Sequence, residues 1–191
     1  MQWNPRKRIY FILLFVIGYT GMDQFSKYIA KKMLSPGIVF QFFGDLFRLQ
    51  YAENKGIYLS LGSTLPDETR FWLFTVTVSI LLLVLFLFLI FSQKLSFFPT
   101  FSLTLVLSGG IGNLIDRIFR QGVVVDMFNL GIGSLRTGIF NLADLAITFG
   151  GGMMVYYLLF MEGKHHASLS GKAEIEKDTF IDEENDKINE L

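Results

Sequence analysis

The sequence predicts an integral membrane protein that is mainly α-helical, with four transmembrane helices and a small extracytoplasmic β-sheet element. Four long apolar stretches predict the helices, because each is near the ~20 residues that a helix needs to cross a bilayer core. Hydrophobic residues make up 51% of the chain and aromatic residues 16%, whereas charged residues make up only 18%. Soluble domains carry about 25% charged residues, so this composition suits a surface that faces lipid.

The four apolar stretches lie at about 9–29, 71–91, 95–115 and 140–161. They are too long and continuous for barrel strands, so helices are the structure that satisfies their backbone groups in hydrocarbon. The first stretch follows three basic residues, as a signal peptide does, but no small-x-small cleavage site follows its apolar core. We therefore interpret it as a retained helix.

The segments between the helices carry strand and turn signals. Phe47–Tyr51 and Ile57–Leu61 alternate apolar and polar residues on either side of the turn signal Asn54-Lys55-Gly56, which predicts a β-hairpin. A second extramembrane loop, at about 117–138, joins the third helix to the fourth. The chain thus divides into a membrane domain, 1–162, and a polar tail, 163–191, which is predicted to be flexible.

Several functional classes are disfavoured by composition. The formal net charge is zero, so no basic field indicates binding to nucleic acid. The chain has no cysteine, which removes thiol catalysis, iron–sulfur clusters and disulfides. Its two histidines, His165 and His166, lie in the polar tail, so the membrane domain offers neither a Ser–His–Asp triad nor a histidine-bound zinc. We expect no cofactor and no metal.

Because successive transmembrane helices alternate in direction, four acidic residues are predicted to lie at the same membrane boundary. The end of the first helix, the end of the third and the start of the fourth must share a side, as must the loops next to them. Four of the eight acids before the tail therefore gather there: Asp23, Asp116, Asp126 and Asp144. Basic residues 6–8 favour a cytoplasmic N-terminus and hence an outer acidic face, although the first loop across the membrane is basic too.

Asp126 and Asp144 are the pair best suited to chemistry. Two carboxylates at a dry boundary share one proton, which leaves one base to activate water and one acid to polarise a carbonyl. Each has an ordinary alternative explanation. Asn141 and Asp144 have the spacing of a helix N-cap and its third helical residue, and Asp126 has two arginines nearby in sequence, Arg117 and Arg120.

Other polar groups in the apolar helices have structural interpretations. Asp23 and Lys27 have the i,i+4 spacing of an ion pair, and Ser26 beside Lys27 is poorly placed for serine–lysine catalysis. The glycine-rich run at 108–113 favours close helix packing, and Asn113 within it must find buried partners. A transporter or assembly factor whose aspartates relay protons is the rival class, but the mid-helix sections carry no charge, which counts against it.

Five short motifs occur in order along the chain: Asp23-Gln24-x-Ser26-Lys27, Asn54-x-Gly56, Gly112-Asn113-x-x-Asp116-Arg117, Val125-Asp126 and Phe140-Asn141-x-Ala143-Asp144. Together they resemble the motifs of the lipoprotein signal peptidases (signal peptidase II), which are membrane aspartic peptidases of bacteria. The resemblance covers roughly residues 9–160. It departs from the family pattern at Ile57-Tyr58-Leu59, which are bulkier than usual, and at Met127.

The resemblance implies a mechanism, a substrate and a location. It implies that Asp126 and Asp144 are the catalytic dyad, and that supporting or substrate-binding roles fall to Asp23, Lys27, Asn54, Asn113, Asp116, Arg117 and Asn141. The implied substrate is a prolipoprotein whose signal peptide is cut before a diacylglyceryl-modified cysteine, and the implied inhibitors are globomycin-like peptides. The implied location is the bacterial cytoplasmic (inner) membrane, with both termini cytoplasmic, the active site at the outer face, and membrane lipids as neighbours.

Overall fold

A computed structural model describes residues 4–34, 36–56, 64–92 and 95–161. These residues form four helices long and apolar enough to cross a membrane: α1 (Pro5–Met33), α2 (Asp67–Phe91), α3 (Phe97–Phe119) and α4 (Leu142–Met161). Residues Met1–Gly152 form one compact unit, which holds the first three helices, the start of α4 and all the strands. The predicted fold class is confirmed, and the helices extend a few residues beyond most of the apolar stretches.

Local sequence explains where the helices begin. The Asn4 side chain accepts a hydrogen bond from Arg6 N at 3.0 Å and so caps α1, whose first residue is Pro5. Helix α2 begins after Pro66 with two acids in its first turn, then passes through a π-helical turn at Phe71–Thr77. Acids near a helix N-terminus are stabilised by the helix dipole.

Helix α3 is the most buried of the four, with 61% of its apolar window buried, compared with 17% for α1. It carries hydroxyl side chains that would be unsatisfied in an apolar interior. Thr100, Ser102, Thr104 and Ser108 each donate to the backbone carbonyl four residues earlier, at 2.7–2.9 Å. The polar atoms are therefore satisfied within the helix. Apolar side chains of α1, α2 and α3, namely Ile12, Leu89 and Leu107, form a core cluster beside them.

The strands form one antiparallel sheet in the order β1 (Val39–Phe42), β2 (Phe47–Asn54), β3 (Val124–Ile132) and β4 (Leu135–Arg136). The strand predicted at 47–51 is present as part of β2. Strand β2 pairs with β1, its neighbour in sequence, and also with β3, which follows α3 in the chain. The predicted loop at 117–138 is correspondingly the end of α3 and the β3–β4 hairpin.

Three interpretations from the sequence fall on residues that the structure does not describe. The second strand of the predicted hairpin, with Ile57, Tyr58 and Leu59, lies outside the described residues. So do the short connection between the second and third apolar stretches, at positions 93–94, and the polar tail that carries His165 and His166.

The sheet brings the loop after α3 against the first loop. Ala52 lies opposite Asp126 and Asn54 lies opposite Val124, with a register shift between Leu49 and Ala52. Val125 and Met127 pack with Ala30 and Leu34 at the end of α1, which fixes β3 against that helix. Asp126 lies between these two residues in β3. Because successive side chains in a strand point to opposite faces, Asp126 points away from this apolar cluster.

Candidate active site

Asp126 and Asp144 line one cavity of about 420 Å³. Asp126 is the third residue of β3, and Asp144 lies in the first turn of α4. The other polar residues that line the cavity are Asn54, Asn113, Arg117 and Thr148. Its apolar wall comprises Val78, Gly110, Val124 and Ile147, which belong to α2, α3, β3 and α4. The cavity therefore combines two carboxylates with an apolar wall formed largely by membrane-spanning helices.

Asn141 joins the two aspartates. Its side-chain oxygen accepts a hydrogen bond from Asp144 N at 2.9 Å, and its backbone N–H donates to Asp144 Oδ2 at 3.1 Å. This reciprocal arrangement is a capping box, so the N-cap interpretation of these two residues is correct. The same Asn141 side chain donates from Nδ2 to Asp126 Oδ1 at 2.6 Å. Asn141 therefore both caps α4 and connects the two candidate catalytic aspartates.

Asp126 is almost fully buried, with 2% of its surface exposed. Its second oxygen, Oδ2, accepts a hydrogen bond from Asn54 Nδ2 at 3.1 Å. Burial, followed by the nearby charge of Asp144, raises the pKa of Asp126 to about 7, although the bonds from Asn54 and Asn141 oppose the change. Among the described residues, no arginine pairs with Asp126, so the ion-pair alternative is wrong. Arg120 pairs with Asp116 instead.

Asp144 is held from a second side by Asn113. Asn113 Nδ2 donates to Asp144 Oδ1 at 2.9 Å. The carbonyl oxygen of the same amide accepts from Lys27 Nζ at 3.0 Å and from Asn141 Nδ2 at 3.1 Å. Two donors on the oxygen fix which end of the amide faces Asp144. The predicted need of Asn113 for buried partners is thus met by three side chains.

A fully buried ion cluster lies behind Asn113. Lys27 Nζ contacts Asp23 Oδ2 at 2.8 Å and Asp116 Oδ2 at 3.0 Å, and all three side chains are 0% exposed. The i,i+4 ion pair predicted for Asp23 and Lys27 is present and gains a third member. Charges this deep are costly unless they are paired and hydrogen-bonded, and here they also bond to backbone groups of the site.

The two carboxylates of the cluster bind backbone N–H groups next to the candidate dyad. Asp23 Oδ1 accepts from Ala143 N at 2.9 Å, and Asp116 Oδ2 accepts from Val125 N at 3.2 Å. Ala143 precedes Asp144, and Val125 precedes Asp126. The ion cluster therefore positions the backbone of both elements that carry the dyad.

Arg117 lines the cavity but forms no ion pair with either Asp126 or Asp144. Its NH2 donates to Gly56 O at 3.0 Å and its NH1 to Asn113 O at 3.4 Å. Asp116 and Arg117 are adjacent in α3 but reach different partners. Gly56 itself donates to Asn54 Oδ1 at 2.9 Å, so Arg117 also fixes the turn that follows Asn54.

Close helix packing, predicted from the glycine run, is present where α3 meets its neighbours. A Cβ at Gly109 would collide with Ala143 O, and a Cβ at Gly112 would lie 2.6 Å from Asp23 Oδ2. Ser26 donates to Asp23 O at 2.7 Å, and Lys27 is held in the ion cluster, so no serine–lysine pair faces the cavity.

Some site residues were not assigned a role from the sequence. Gln24 Nε2 donates to Gly112 O at 2.9 Å and to Asp116 Oδ1 at 3.2 Å, and its place in the first motif was the available signal. Tyr19 OH donates to Leu142 O at 2.9 Å at the start of α4. The apolar wall residues Val78 and Ile147 carry no sequence signal, because apolar residues of a membrane helix look alike whether they face lipid or a cavity.

Comparison with known proteins identifies the family. A family model described as signal peptidase (SPase) II matches residues 14–160. Proteins named lipoprotein signal peptidase from Borrelia hermsii and Borrelia duttonii are 35% and 37% identical over 164 and 167 residues, and each alignment covers 83% of this chain and 95% of the relative.

Two solved structures of bacterial membrane enzymes, both determined by the in meso method, have the same fold. The first aligns with a TM-score of 0.69 and 27% identity over 79% of this chain and 88% of that chain. The second aligns with a TM-score of 0.66 and 26% identity over 80% of this chain and 95% of that chain. From the family model and the relatives that it matches, the chain belongs to the signal peptidase II family of aspartic peptidases.

Proposed function

We propose that this protein removes signal peptides from prolipoproteins, cutting the peptide bond before a diacylglyceryl-modified cysteine with Asp126 and Asp144 as the catalytic dyad. The observation that carries the proposal is that both carboxylates line one cavity and share Asn141 as a hydrogen-bond partner. The names of the relatives support the substrate class. The apolar wall of the cavity suits a lipid-linked substrate that enters from the bilayer.

The two aspartates divide the acid and base roles according to burial. Asp126 is the more buried and its pKa is raised to about 7, so it carries the shared proton. Asp144 is half-buried and accepts hydrogen bonds from Asn113 Nδ2 and Asn141 N, which hold its carboxylate toward the cavity. Asp144 is therefore the base and Asp126 the acid.

The reaction begins when Asp144 takes a proton from water and the water oxygen attacks the scissile carbonyl carbon. Asp126 gives its proton to the carbonyl oxygen, which yields a neutral tetrahedral diol. Collapse of the diol breaks the C–N bond: the amine of the cysteine takes the proton held by Asp144, and a hydroxyl proton returns to Asp126. The products are the signal peptide carboxyl group and the free amine of the modified cysteine, and the dyad regains its initial protonation state.

We assign the supporting residues by their contacts. Asn54, Asn113 and Asn141 orient the two carboxylates. Asp23, Lys27 and Asp116 position the backbone beside each of them. Arg117 lines the cavity and binds substrate backbone, while it holds the turn at Gly56.

We also propose a location and an inhibitor class. The site lies at the outer face of the bacterial inner membrane, and both termini are cytoplasmic, as favoured by the basic residues before α1. Globomycin-like peptides compete with the substrate for the cavity that Asp126 and Asp144 line.

The direct test compares Asp126→Asn and Asp144→Asn with Asp45→Asn, using a diacylglyceryl-modified prolipoprotein. Each variant keeps the shape of the side chain and removes its ability to exchange protons. Both dyad variants are expected to lose activity by about 10²–10⁴-fold, which is the typical contribution of a general acid–base group. Asp45, which lies in the β1–β2 turn and contacts Arg48, is the matched control and is expected to retain activity. Full activity in either folded dyad variant would refute the mechanism.

A further inference from the structure

A second cavity, also of about 420 Å³, shares Arg117 with the candidate active site. Its walls come from the start of α2, from the segment that follows α3 and from Lys55 after β2. The first cavity reaches residues well inside the membrane-spanning helices, such as Val78 and Ile147. The second is lined at the helix ends, by Asp67 at the start of α2 and Gln121 after α3. It therefore lies closer to water than the first.

The charges around the second cavity are unequal. Lys55, Arg70 and Arg117 face it, together with a single carboxylate, Asp67, which pairs with Arg70. The Lys55 ammonium is exposed and has no ion-pair partner in the part of the chain that the structure describes. The cavity thus offers excess positive charge.

The path that the substrate chain takes through the enzyme suggests how the two cavities are related. A signal peptide is apolar and lies in the bilayer, so its end reaches the dyad from the membrane side. The chain that follows the modified cysteine has to leave toward water. The second cavity is the polar neighbour of the first, because Arg117 lines both of them.

We propose that the second cavity binds the residues immediately after the modified cysteine and favours acidic side chains there, with Lys55 as a specificity-determining residue. This inference rests on the proposed function. Opposite charges at a partly exposed site attract modestly, and the attraction weakens as salt screens it. The preference is therefore expected in kcat/KM and is expected to depend on ionic strength.

The test uses three diacylglyceryl-modified peptides that are identical except at the two positions after the cysteine, which are Glu-Glu, Ser-Ser or Lys-Lys. The full chain is reconstituted in phosphatidylcholine vesicles, so that lipid charge does not attract the peptides. The wild type is expected to cleave the Glu-Glu peptide with about fivefold higher kcat/KM than the Lys-Lys peptide at low salt, as for two exposed charge contacts. The ratio is expected to approach one at about 0.5 M NaCl.

The variants Lys55→Glu and Lys55→Gln test whether Lys55 causes the preference for acidic residues after the cysteine. Lys32→Glu is the matched control. Lys32 is exposed near the end of α1 and does not line the second cavity. Both Lys55 variants are expected to lower the Glu-Glu to Lys-Lys ratio, the charge reversal more strongly, while Lys32→Glu keeps the wild-type ratio. Melting temperatures of the reconstituted variants verify that each is folded.

Two results would overturn the inference. One is equal kcat/KM of the wild type on all three peptides at low salt, and the other is an unchanged ratio in folded Lys55→Glu. If instead the wild type cleaves none of the peptides, the proposed function fails, which is a distinct outcome.

Discussion

At the scale of single residues, burial separates two carboxylates that are chemically identical. Both accept two hydrogen bonds from amide or backbone N–H groups, so hydrogen bonding alone does not distinguish them. Asp126 is shielded from water, whereas Asp144 is half-buried. Desolvation disfavours the charged form of Asp126 and raises its pKa, which is the basis for proposing it as the acid.

The raised pKa of Asp126 predicts how activity depends on pH. The acid role needs protonated Asp126, so kcat/KM is expected to fall as pH rises through about 7. A pH profile measured with a neutral lipidated peptide provides the test. A profile that stays flat from about pH 6 to about pH 8 would contradict the assignment of Asp126 as the acid.

The raised pKa of Asp126 also predicts that the stability of the folded protein depends on pH. The folded pKa of about 7 lies above the unfolded value of about 3.9, so between these values the folded protein binds the proton more strongly. The free energy of unfolding is therefore expected to fall as pH rises from about 4 to about 7 and to lose this slope above pH 7. Thermal unfolding in detergent is the measurement. Asp126→Asn is the control, because it lacks the titrating group and is expected to lose this contribution.

Lys27 is predicted to be a major source of stability. Lys27→Met keeps the length of the side chain but leaves Asp23 and Asp116 without their shared ammonium. Breaking a buried ion cluster from one side costs about 3–5 kcal/mol, which denaturant unfolding in mixed micelles can measure. Lys31→Met, at an exposed position near the same helix end, is expected to change stability by less than about 0.5 kcal/mol. Equal stability of the two variants would show that the cluster contributes little.

Residue types and spacing predicted much of the site but not its connections. Helix alternation grouped Asp23, Asp116, Asp126 and Asp144, because it depends only on the order of the helices. Three hydrogen bonds were not predictable: those from Asn141 Nδ2 to Asp126, from Ala143 N to Asp23 and from Val125 N to Asp116. They depend on the register of β3 against β2 and on side-chain rotamers, which no local pattern specifies.

At the scale of elements, the approach of α3 to α4 places Asp144. Gly109 on α3 lies against Ala143 O and the side chains of Ala146 and Ile147 on α4. Without side chains at such positions, two membrane helices can pack closely. The small residues thus bring Asn113, four residues further along α3, within reach of Asp144.

Gly109→Ala is therefore expected to separate the two helices. The added methyl group meets backbone rather than a flexible side chain, so the expected loss of stability is about 1–3 kcal/mol. Activity is expected to fall as well, because Asp144 moves relative to Asn113. Gly18→Ala is the control, since no atom lies within 4 Å of a Cβ at that position. Unfolding and cleavage assays on both variants provide the test, and a Gly109→Ala variant that matches Gly18→Ala in both would disprove the packing argument.

In the sheet, one strand could be predicted from the sequence, but its pairing partner could not. Alternation in 47–51 correctly indicated a strand, since period-two burial is a local property. The choice of partner is not local: β2 pairs with β3, which lies beyond two membrane helices in the chain. Strand β3 also carries apolar residues on both faces, Val124, Val125 and Met127, so its sequence lacks the alternation that would have marked it.

At the scale of the whole molecule, the buried carboxylates of the described residues are concentrated at one boundary, whereas Arg8 is buried at the other end of α1. Asp23, Lys27 and Asp116 lie near the ends of α1 and α3, while α2 presents apolar side chains such as Leu81 to the exterior. A helix of 29 residues spans roughly 43 Å, more than the ~30 Å of a bilayer core. The two ends of α1 therefore reach opposite faces of the membrane.

The proposed orientation can be tested with single cysteines, because the chain contains none. Lys7→Cys and Lys32→Cys place thiols at exposed positions near the two ends of α1. In intact spheroplasts, an impermeant maleimide is expected to label position 32 and to label position 7 only after permeabilisation. Labelling in the opposite pattern would reverse the orientation and place the site in the cytoplasm.

The double role of Asn141 has a consequence for drug resistance. If the protein acts as proposed, an inhibitor that copies the transition state must contact Asp126, Asp144 or the amide between them. A cell that escapes the drug by replacing Asn141 also loses the cap that starts α4. Resistance substitutions are therefore expected at the apolar wall of the cavity, at residues such as Val78 and Ile147, whose side chains form none of the hydrogen bonds that hold the two aspartates or cap α4.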